Sequence, residues 1–358
     1  MAYTTIDDPE AYFQVVLFTG DTSAQSITLP GDTNMQPDMV WIKVRDASAY
    51  GVIQDSVRGV TGTDSYNIIT DAASTDVSDA ITALNSDGFT VGTDANDRSN
   101  YNSQTHVAWC WKANGSGSSN EAGSINTTAT SANTTSGFSI ITYTGNSTSG
   151  ATIGHGLGVK PAMIFCKNLA STQDWLGYHE SFGATKHIKL NETEAVGTAS
   201  TRFNDTEPTT SVFTVGNDPQ TNASASMLAY CFANVQGFSK FGSYTGNGEA
   251  INGPMVFTGF KVRWVIIKNI GGVEPWDVWD SERSSSGGRN LVDKDLKPSS
   301  NAAEQTGSEG VKVVDFLSNG FKIRGSNTEI NQSGNTHIYA AFAEAPFVNS
   351  NGVPATAV

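Results

Sequence analysis

The sequence has few cysteines, few basic residues and no long apolar run, and each shortage makes a class of protein unexpected. Only 3 of the 358 residues are cysteine, and none forms a CxxC pair, so we expect neither a disulfide framework nor a cysteine-rich metal site. Lysine and arginine total 21 against 35 acidic residues, a formal net charge of -14. Because binding to a phosphate backbone needs a basic surface, we expect no nucleic-acid partner. No apolar run reaches the roughly 18 residues of a spanning helix, so no membrane insertion is expected.

The chain is also poor in charge and in helical periodicity. Charged residues make up 16% of it, while glycine occurs 36 times. A helix-rich enzyme would carry more Glu, Lys, Ala and Leu, so this composition favours a β-rich protein. Only residues 79–85, DAITALN, suggest one or two helical turns. The first residues, MAYTTIDDPEAYF, lack the basic and apolar regions of a secretory signal, which predicts synthesis in a cytoplasm without export.

What the sequence does contain is a series of five motifs that occurs three times in the same order. Each copy has an aromatic-Thr-Gly turn, an apolar strand ending in lysine, an acidic-Ser pair, a strand around a phenylalanine, and a closing aromatic strand. The turns are 18–20, 143–145 and 244–246; the lysines are Lys43, Lys167 and Lys268; the acidic residues are Asp55, Glu180 and Asp280; the phenylalanine strands are 87–92, 211–216 and 319–325; the closing strands are 106–111, 227–232 and 337–342. Matching order and spacing indicate an internal triplication.

The triplication sets the predicted domain boundaries. The ranges 1–115, 137–237 and 238–347 are each predicted to be one β-sandwich repeat, since about 100 residues with several short strands suit one sandwich. The range 116–136 is rich in Gly, Ser, Thr and Asn and predicts a flexible linker or long surface loop, and 348–358 predicts a polar C-terminal tail. The predicted fold is therefore all-β, with three tandem sandwiches of jelly-roll or lectin-like type. A pseudo-threefold arrangement and a linear string both fit this sequence.

The sequence carries no motif of a common catalytic or cofactor site. It lacks the HExxH pattern, the GxSxG elbow and the phosphate-loop and dinucleotide fingerprints. The prominent acidic residues recur once per repeat, whereas a catalytic pair normally breaks internal symmetry. We therefore predict no enzyme, no catalytic residues, no metal and no cofactor. Cleavage of a polysaccharide by paired carboxylates depends on distances that a sequence does not show, so a depolymerase stays an alternative.

The recurring polar residues are predicted to serve the fold. Asp55 with Arg58 and Asp280 with Arg283 have the spacing of a turn cap or an ion pair. His106 and His337 occupy the same motif position in two repeats, which favours a structural role. The lysine of each apolar strand is expected to cover the core with its stem while its ammonium group reaches water.

Two aromatic pairs are the candidate interaction residues. Trp276 and Trp279 fall on opposite faces of a strand because side chains alternate. Trp175 and Tyr178 lie at nearly the same place in the second repeat. One member of each pair must then point away from its own repeat. An outward aromatic packs against a neighbouring repeat or subunit, or stacks on a sugar ring, and both interpretations stay open.

Taken together, YTGN, HGLGVKPAMIFCKN, GFSKFGSYTGNG and HIYAAFAEAPF resemble a domain of unknown function found repeatedly in predicted tail-fibre and other virion proteins of marine bacteriophages. The likeness spans roughly 10–347. It implies a virion structural protein on the particle exterior, a tail-fibre or receptor-binding component that contacts the host surface. A head-decoration protein is the first alternative, and a glycan-binding adhesin module is a further one. The implied partners are other virion proteins and a host glycan or protein, and a homotrimer is compatible with this role.

Overall fold

A computed structural model of the chain describes residues 3–60, 67–69, 76–77, 79–94, 98–284 and 290–356. Strands make up 43% of it and helices 5%. The prediction of an all-β protein built from antiparallel sheets is confirmed.

The secondary structure consists of short strands with a few single helical turns. The strands are β1 (Phe13–Thr19), β2 (Gln25–Ile27), β3 (Met39–Val44), β4 (Val52–Asp55), β5 (Asn67–Ile69), β6 (Asp76–Val77), β7 (Ile81–Asn85), β8 (Gly88–Val91), β9 (Thr105–Trp111), β10 (Thr127–Asn133), β11 (Phe138–Thr144), β12 (Ala151–Gly154), β13 (Met163–Asn168), β14 (Leu176–His179), β15 (Lys186–Lys189), β16 (Gly197–Thr198), β17 (Val212–Val215), β18 (Ser226–Phe232), β19 (Ser239–Thr245), β20 (Met255–Phe257), β21 (Phe260–Asn269), β22 (Trp276–Asp280), β23 (Leu291–Val292), β24 (Lys294–Asp295), β25 (Gln305–Thr306), β26 (Val314–Leu317), β27 (Gly320–Ile323) and β28 (Thr336–Pro346). The helices are α1 (Ser200–Phe203), α2 (Pro219–Asn222) and α3 (Thr328–Asn331), with 3-10 turns at Pro9–Ala11 and Ser281–Arg283.

Three large sheets share one strand order. They contain β1-β9-β3-β4, β11-β18-β13-β14 and β19-β28-β21-β22, one in each of the ranges 1–115, 137–237 and 238–347, which we call the first, second and third segments. Strands β5 and β6 extend the first sheet, and β10, β15 and β16 extend the second. Each large sheet has a smaller companion: β2-β8-β7, β12-β17 and β20-β27-β26-β23. The same order of antiparallel strands therefore occurs three times along the chain.

The closing strand of each motif series lies at the centre of its large sheet and is packed on both faces. In β9, Val107, Trp109 and Trp111 belong to one apolar cluster, whereas Ala108 and Cys110 belong to another. The division follows from the two-residue period of a strand. One face of the sheet thus covers its smaller companion, and the other face is directed toward the rest of the molecule.

The glycine of each aromatic-Thr-Gly turn is required by a close backbone approach. At each of these glycines, an added Cβ atom would lie too close to a carbonyl oxygen. The distance would be 2.3 Å from Gly20 to Tyr101, 2.1 Å from Gly145 to Ala223 and 2.3 Å from Gly246 to Gln332. No side chain fits at such distances, so glycine is the residue that this turn demands. The recurrence of the motif has a folding reason.

Two sequence-based predictions about local structure are wrong. Residues 79–85 form no helix: Ile81–Asn85 is strand β7, which pairs with β8. The short apolar run in 79–85 fits the period of a helix as well as that of a strand. Pairing with β8 makes it a strand. The range 116–136 is not simply a connection, because β10 (Thr127–Asn133) pairs with β11 as the edge strand of the second sheet.

The predicted tail contacts the start of the chain. The Ser350 backbone N–H donates to Asp7 Oδ1 at 2.7 Å, and Val348 forms a bridge with Pro354. Residues 357 and 358 of this range lie outside the described residues. The ends of the described chain therefore lie close together.

Candidate functional site

The outward faces of the three large sheets meet in one apolar cluster. Its members include Phe13 and Trp111 from the first segment, Phe232 from the second, and Trp264 and Phe342 from the third. The rings of Trp111 and Trp264 are 5.6 Å apart and perpendicular, those of Phe13 and Phe342 stack at 5.1 Å, and those of Phe232 and Phe342 meet at 6.1 Å. Aromatic pairs at such separations stabilise a core beyond the area that they bury. The segments are therefore held together by a common core.

A space of about 30 Å³ remains where the sheets meet. Side chains from all three segments line it, among them Trp41, Phe165 and Trp264. The lining is apolar, and a water molecule needs polar partners to occupy such a space. We interpret this space as a packing gap.

The four candidate aromatics are all buried, so the sugar-stacking interpretation is wrong for them. Trp175 and Trp279 are 0% exposed, and Trp276 and Tyr178 are 1% exposed. No sugar ring reaches side chains that are covered to this extent.

Trp276 bridges two segments, as the packing interpretation predicted. Its indole N–H donates to the Lys189 carbonyl oxygen at 2.8 Å, and its ring meets Phe165 at 6.1 Å. Both partners belong to the second segment. Trp175 belongs to the common core and stacks on Tyr230 at 5.9 Å.

Trp279 and Tyr178, the other member of each pair, both contact residues of their own segments. The Lys312 ammonium nitrogen lies 5.7 Å from the centre of the Trp279 ring. The Tyr178 hydroxyl donates to Glu207 Oε2 at 2.7 Å. The opposite-face prediction therefore agrees with the contacts of both pairs.

The first acidic-Ser motif joins the first segment to the second. Arg58 Nε donates to Asp55 Oδ2 at 2.6 Å, and the Tyr230 hydroxyl donates to the same oxygen at 2.7 Å. Asp55 Oδ1 also accepts the backbone N–H of Arg58 at 2.9 Å. The predicted cap and ion pair are both present, and Tyr230 completes the group from the neighbouring segment.

The third acidic-Ser motif joins the third segment to the first in the same way. Arg283 Nε donates to Asp280 Oδ2 at 2.6 Å, and the Trp109 indole N–H donates to that oxygen at 2.8 Å. Trp109 and Tyr230 occupy the same position in their closing strands. The Arg283 guanidinium lies 5.7 Å from the centre of the Trp109 ring and donates to Glu304 at 3.1 Å. A buried aspartate therefore accepts from an aromatic donor at both junctions.

The second motif lacks the arginine and joins its neighbour through a histidine. His179 Nε2 lies 3.2 Å from the Tyr339 carbonyl oxygen in the third segment, and His179 Nδ1 accepts the Ser181 backbone N–H at 3.1 Å. Burial lowers the pKa of His179 to about 4. The three contacts run from the first segment to the second, from the second to the third, and from the third to the first. They close a ring.

The three strand-end lysines do not reach water, contrary to expectation. Lys43, Lys167 and Lys268 are each 0% exposed. Lys43 Nζ donates to the Ser300 carbonyl oxygen at 2.7 Å, and Lys268 Nζ donates to that of Thr193 at 2.9 Å. Both acceptors belong to another segment, and burial lowers the pKa of Lys268 to about 8. The Lys43 and Lys268 ammonium groups therefore bind backbone of neighbouring segments, whereas Lys167 Nζ donates to the Gln173 carbonyl oxygen of its own segment.

His106 and His337 pack against the aromatic residue of the first motif. The His106 ring stacks on Phe18 at 4.9 Å, and the His337 ring stacks on Tyr244 at 5.0 Å. Burial lowers the pKa of both histidines to about 4. Both are neutral packing residues at neutral pH.

A repeated asparagine was missed in the sequence. In each segment, the side-chain amide of a buried asparagine accepts a backbone N–H just after the Thr-Gly turn. The same amide donates to the carbonyl oxygen of the glycine that ends the phenylalanine strand. The residues are Asn100 (Asp21 and Gly92), Asn222 (Asn146 and Gly216) and Asn331 (Asn247 and Gly325), with distances of 2.7 to 3.0 Å. The available signal was an asparagine five or six residues before the start of each closing strand, although each of these loops also contains other asparagines.

A cluster of buried charges lies in the third segment. Lys312 Nζ lies 2.5 Å from Asp277 Oδ1 and 2.9 Å from Asp295 Oδ2, and it also contacts Glu329. Burial raises the pKa of Asp277 to about 8. The lysine occupies the place that a cation would take among these carboxylates. Within the ranges that the structure describes, no group of three or more His, Cys, Asp or Glu residues has an arrangement that could hold a metal.

Comparison with known families gives one match. A family model covers residues 8–346. The chain belongs to DUF7483, a domain of unknown function. The DUF7483 match runs through all three segments, so the three sheets belong to one family unit. No curated protein and no solved structure matches the chain. Among the described helices, none is long and apolar enough to cross a membrane.

Proposed function

We propose that the chain consists of three copies of one jelly-roll-like β-sandwich, closed around a pseudo-threefold axis, so that a single polypeptide imitates a trimer. The recurring strand order and the equivalent hydrogen bonds of Asn100, Asn222 and Asn331 support this arrangement. The ring of contacts through Asp55, His179 and Asp280 supports closure over a linear string.

We propose further that this body is a non-enzymatic structural protein on the outside of a bacteriophage particle, in a tail-fibre or receptor-binding component that contacts the host surface. The motif series that resembles phage virion proteins supports the setting. The observation that carries the role is the ring itself. It commits the recurring polar and aromatic residues to packing and leaves the loops between strands to make contacts.

Charge and composition suit such a position. The chain has a net charge of -14, and a net charge far from zero keeps proteins dispersed at high copy number. Several copies on one particle would bind a surface more strongly than any single contact, through effective concentration.

A head-decoration protein is the second candidate because a body with pseudo-threefold symmetry matches a local threefold axis of a capsid lattice. The two roles place the chain at different points of the particle. Gold-labelled antibody on purified particles distinguishes them: label at the tail tip supports the receptor-binding role, and label over the head shell supports decoration. Purified particles without the chain in their protein mass spectrum refute both.

The non-enzymatic part of the proposal has its own test. Purified protein is incubated with polysaccharide from the host surface, and reducing ends are assayed over time. We expect no increase above buffer. New reducing ends that depend on protein concentration would identify a depolymerase.

A further inference from the structure

An open cleft lies at the junction between the second and third segments. It has a volume of about 400 Å³, which is within the usual range for ligand sites. Tyr3, Asn234, Gln236, Lys240 and Phe257 contribute to its walls. None of these five belongs to the repeated motifs.

One wall of the cleft is aromatic and accessible. Phe257 is 59% exposed, the largest fraction among the exposed aromatic side chains of the described residues. Its ring meets the edge of Phe347 at 6.4 Å, and Phe347 meets Tyr3 at 6.2 Å. The Tyr3 hydroxyl donates to the Gly259 carbonyl oxygen at 2.8 Å, which fixes that side of the wall. The Phe257 ring is therefore positioned by its neighbours while much of it stays open to solvent.

Other residues that line the cleft are polar. Asn234 uses its amide internally, donating to Glu180 at 2.9 Å and accepting from the Phe241 backbone N–H at 2.9 Å. Within the part of the chain that the structure describes, the side chains of Gln236 and Lys240 have no hydrogen bond or ion pair.

The other segments lack this phenylalanine at the equivalent position. Val256 pairs with Phe321 as Ile27 pairs with Phe89 and as Ile153 pairs with Phe213. The residue that follows is Phe257 in the third segment, Thr28 in the first and Gly154 in the second. The sandwich therefore forms without an aromatic side chain at this edge.

The lysine is also specific to the third segment. Lys240 pairs with Ala341, whereas Gln14 pairs with Cys110 and Ser139 with Cys231 at the corresponding register. Gln14 and Ser139 are 0% exposed. Since the fold accepts neutral buried residues at this register, the sandwich does not require a lysine here.

We propose that this cleft binds an acidic sugar unit, a uronic or sialic acid residue. The face of the sugar ring stacks on Phe257, the Gln236 amide bonds to ring hydroxyls, and the Lys240 ammonium pairs with the carboxylate. Aromatic rings bind apolar faces of partly polar groups, and an unpaired ammonium supplies charge complementarity. The inference rests on the proposed contact with a host surface and names the class of ligand.

The test measures binding of the full chain to defined probes by saturation-transfer NMR and calorimetry. The probes are trigalacturonate, monomeric galacturonate, neutral maltotriose and a short polyglutamate. We expect trigalacturonate to bind and maltotriose to bind about tenfold more weakly. Added salt should weaken the binding of trigalacturonate, because it screens the interaction between opposite charges. Comparison of the monomer with the trimer distinguishes a free sugar acid from a polysaccharide as the ligand.

Variants localise the binding. Phe257→Gly introduces the residue found at the equivalent position of the second segment, Gly154, and should weaken the binding of trigalacturonate about tenfold. Lys240→Gln should remove the preference for the acidic probe over maltotriose. The matched controls Val273→Gly and Lys186→Gln alter exposed side chains outside the cleft and should bind as wild type.

Several results would overturn the inference. These are no binding of any saccharide, equal binding of trigalacturonate and polyglutamate, or equal losses in cleft and control variants. Binding by purified protein does not depend on where the chain lies in a particle. A chain located on the particle exterior that binds no acidic sugar therefore refutes this inference alone.

Discussion

His179 makes the junction between the second and third segments sensitive to acid. Its Nδ1 accepts the Ser181 N–H, so its proton lies on Nε2, which donates to the Tyr339 carbonyl oxygen. A second proton on Nδ1 would face the Ser181 N–H and break that bond. Lowering the pH therefore favours a state in which this histidine is released from the junction.

The size of the effect follows from the pKa. Burial lowers it from 6.5 to about 4, and each pKa unit corresponds to about 1.4 kcal/mol. Between pH 6.5 and pH 4 the unfolded chain binds a proton at this histidine and the folded chain does not. The free energy of unfolding therefore falls as the pH falls through this window, by about 3 kcal/mol in all. Above pH 6.5 the full stability is present.

The assay is urea unfolding, followed by tryptophan fluorescence, at pH 7 and pH 4. His179→Gln keeps a donor for Tyr339 but does not titrate, so it should lose about 3 kcal/mol less than wild type between the two pH values. His106 and His337 titrate in both proteins and cancel in this comparison. The control Ile338→Val costs about 0.5–1.5 kcal/mol and should keep the wild-type pH dependence. Identical pH dependence in wild type and His179→Gln would refute the reasoning.

Three further predictions test the packing. Trp109→Phe removes the donor to Asp280 and should lower the free energy of unfolding by about 1.5–3 kcal/mol, because the acceptor is a buried charge; an unchanged urea midpoint would contradict this. Trp276→Ala should cost about 3–5 kcal/mol by the same assay, whereas a loss within about 0.5 kcal/mol would indicate a surface residue. Subtilisin should not cleave the native protein within 127–133, since this range is a paired strand; cleavage there first would restore the flexible-linker interpretation.

The recurring motifs predicted the local fold well because each one answers a local requirement. The glycine of the first turn meets a carbonyl oxygen within its own segment, and the alternating side chains of 106–111 divide between two apolar clusters. The spacing of Asp280 and Arg283 sufficed to predict their ion pair. Such features depend on neighbours in sequence or on strand period, both of which a single sequence displays.

The errors concern residues whose surroundings come from distant parts of the chain. Lys43 is buried because the Ser300 carbonyl oxygen, 257 positions away, accepts its proton. For Trp276 the sequence left packing and sugar contact open, and only its contacts with Lys189 and Phe165 decide for packing. Strand β10 has the polar composition of a linker because it lies at a sheet edge, and only its pairing with β11 reveals it.

The proposed sugar cleft was equally inaccessible to sequence reasoning. Tyr3, Gln236 and Phe257 lie far apart in the chain and belong to no shared pattern. What distinguishes Phe257 is that the equivalent positions carry threonine and glycine, and the strand registers reveal that equivalence. The residues that recur in the three segments therefore report on folding, whereas Phe257 has no aromatic equivalent in the other two segments.

A side-chain-resolution reconstruction of the intact phage particle tests the central claim most directly. The account predicts one chain on the particle exterior, folded as three sandwiches around one apolar core, with Trp109 bonded to Asp280 and Tyr230 bonded to Asp55. Density for three separate bodies along a string, or a particle whose outer surface contains no copy of this chain, would contradict it.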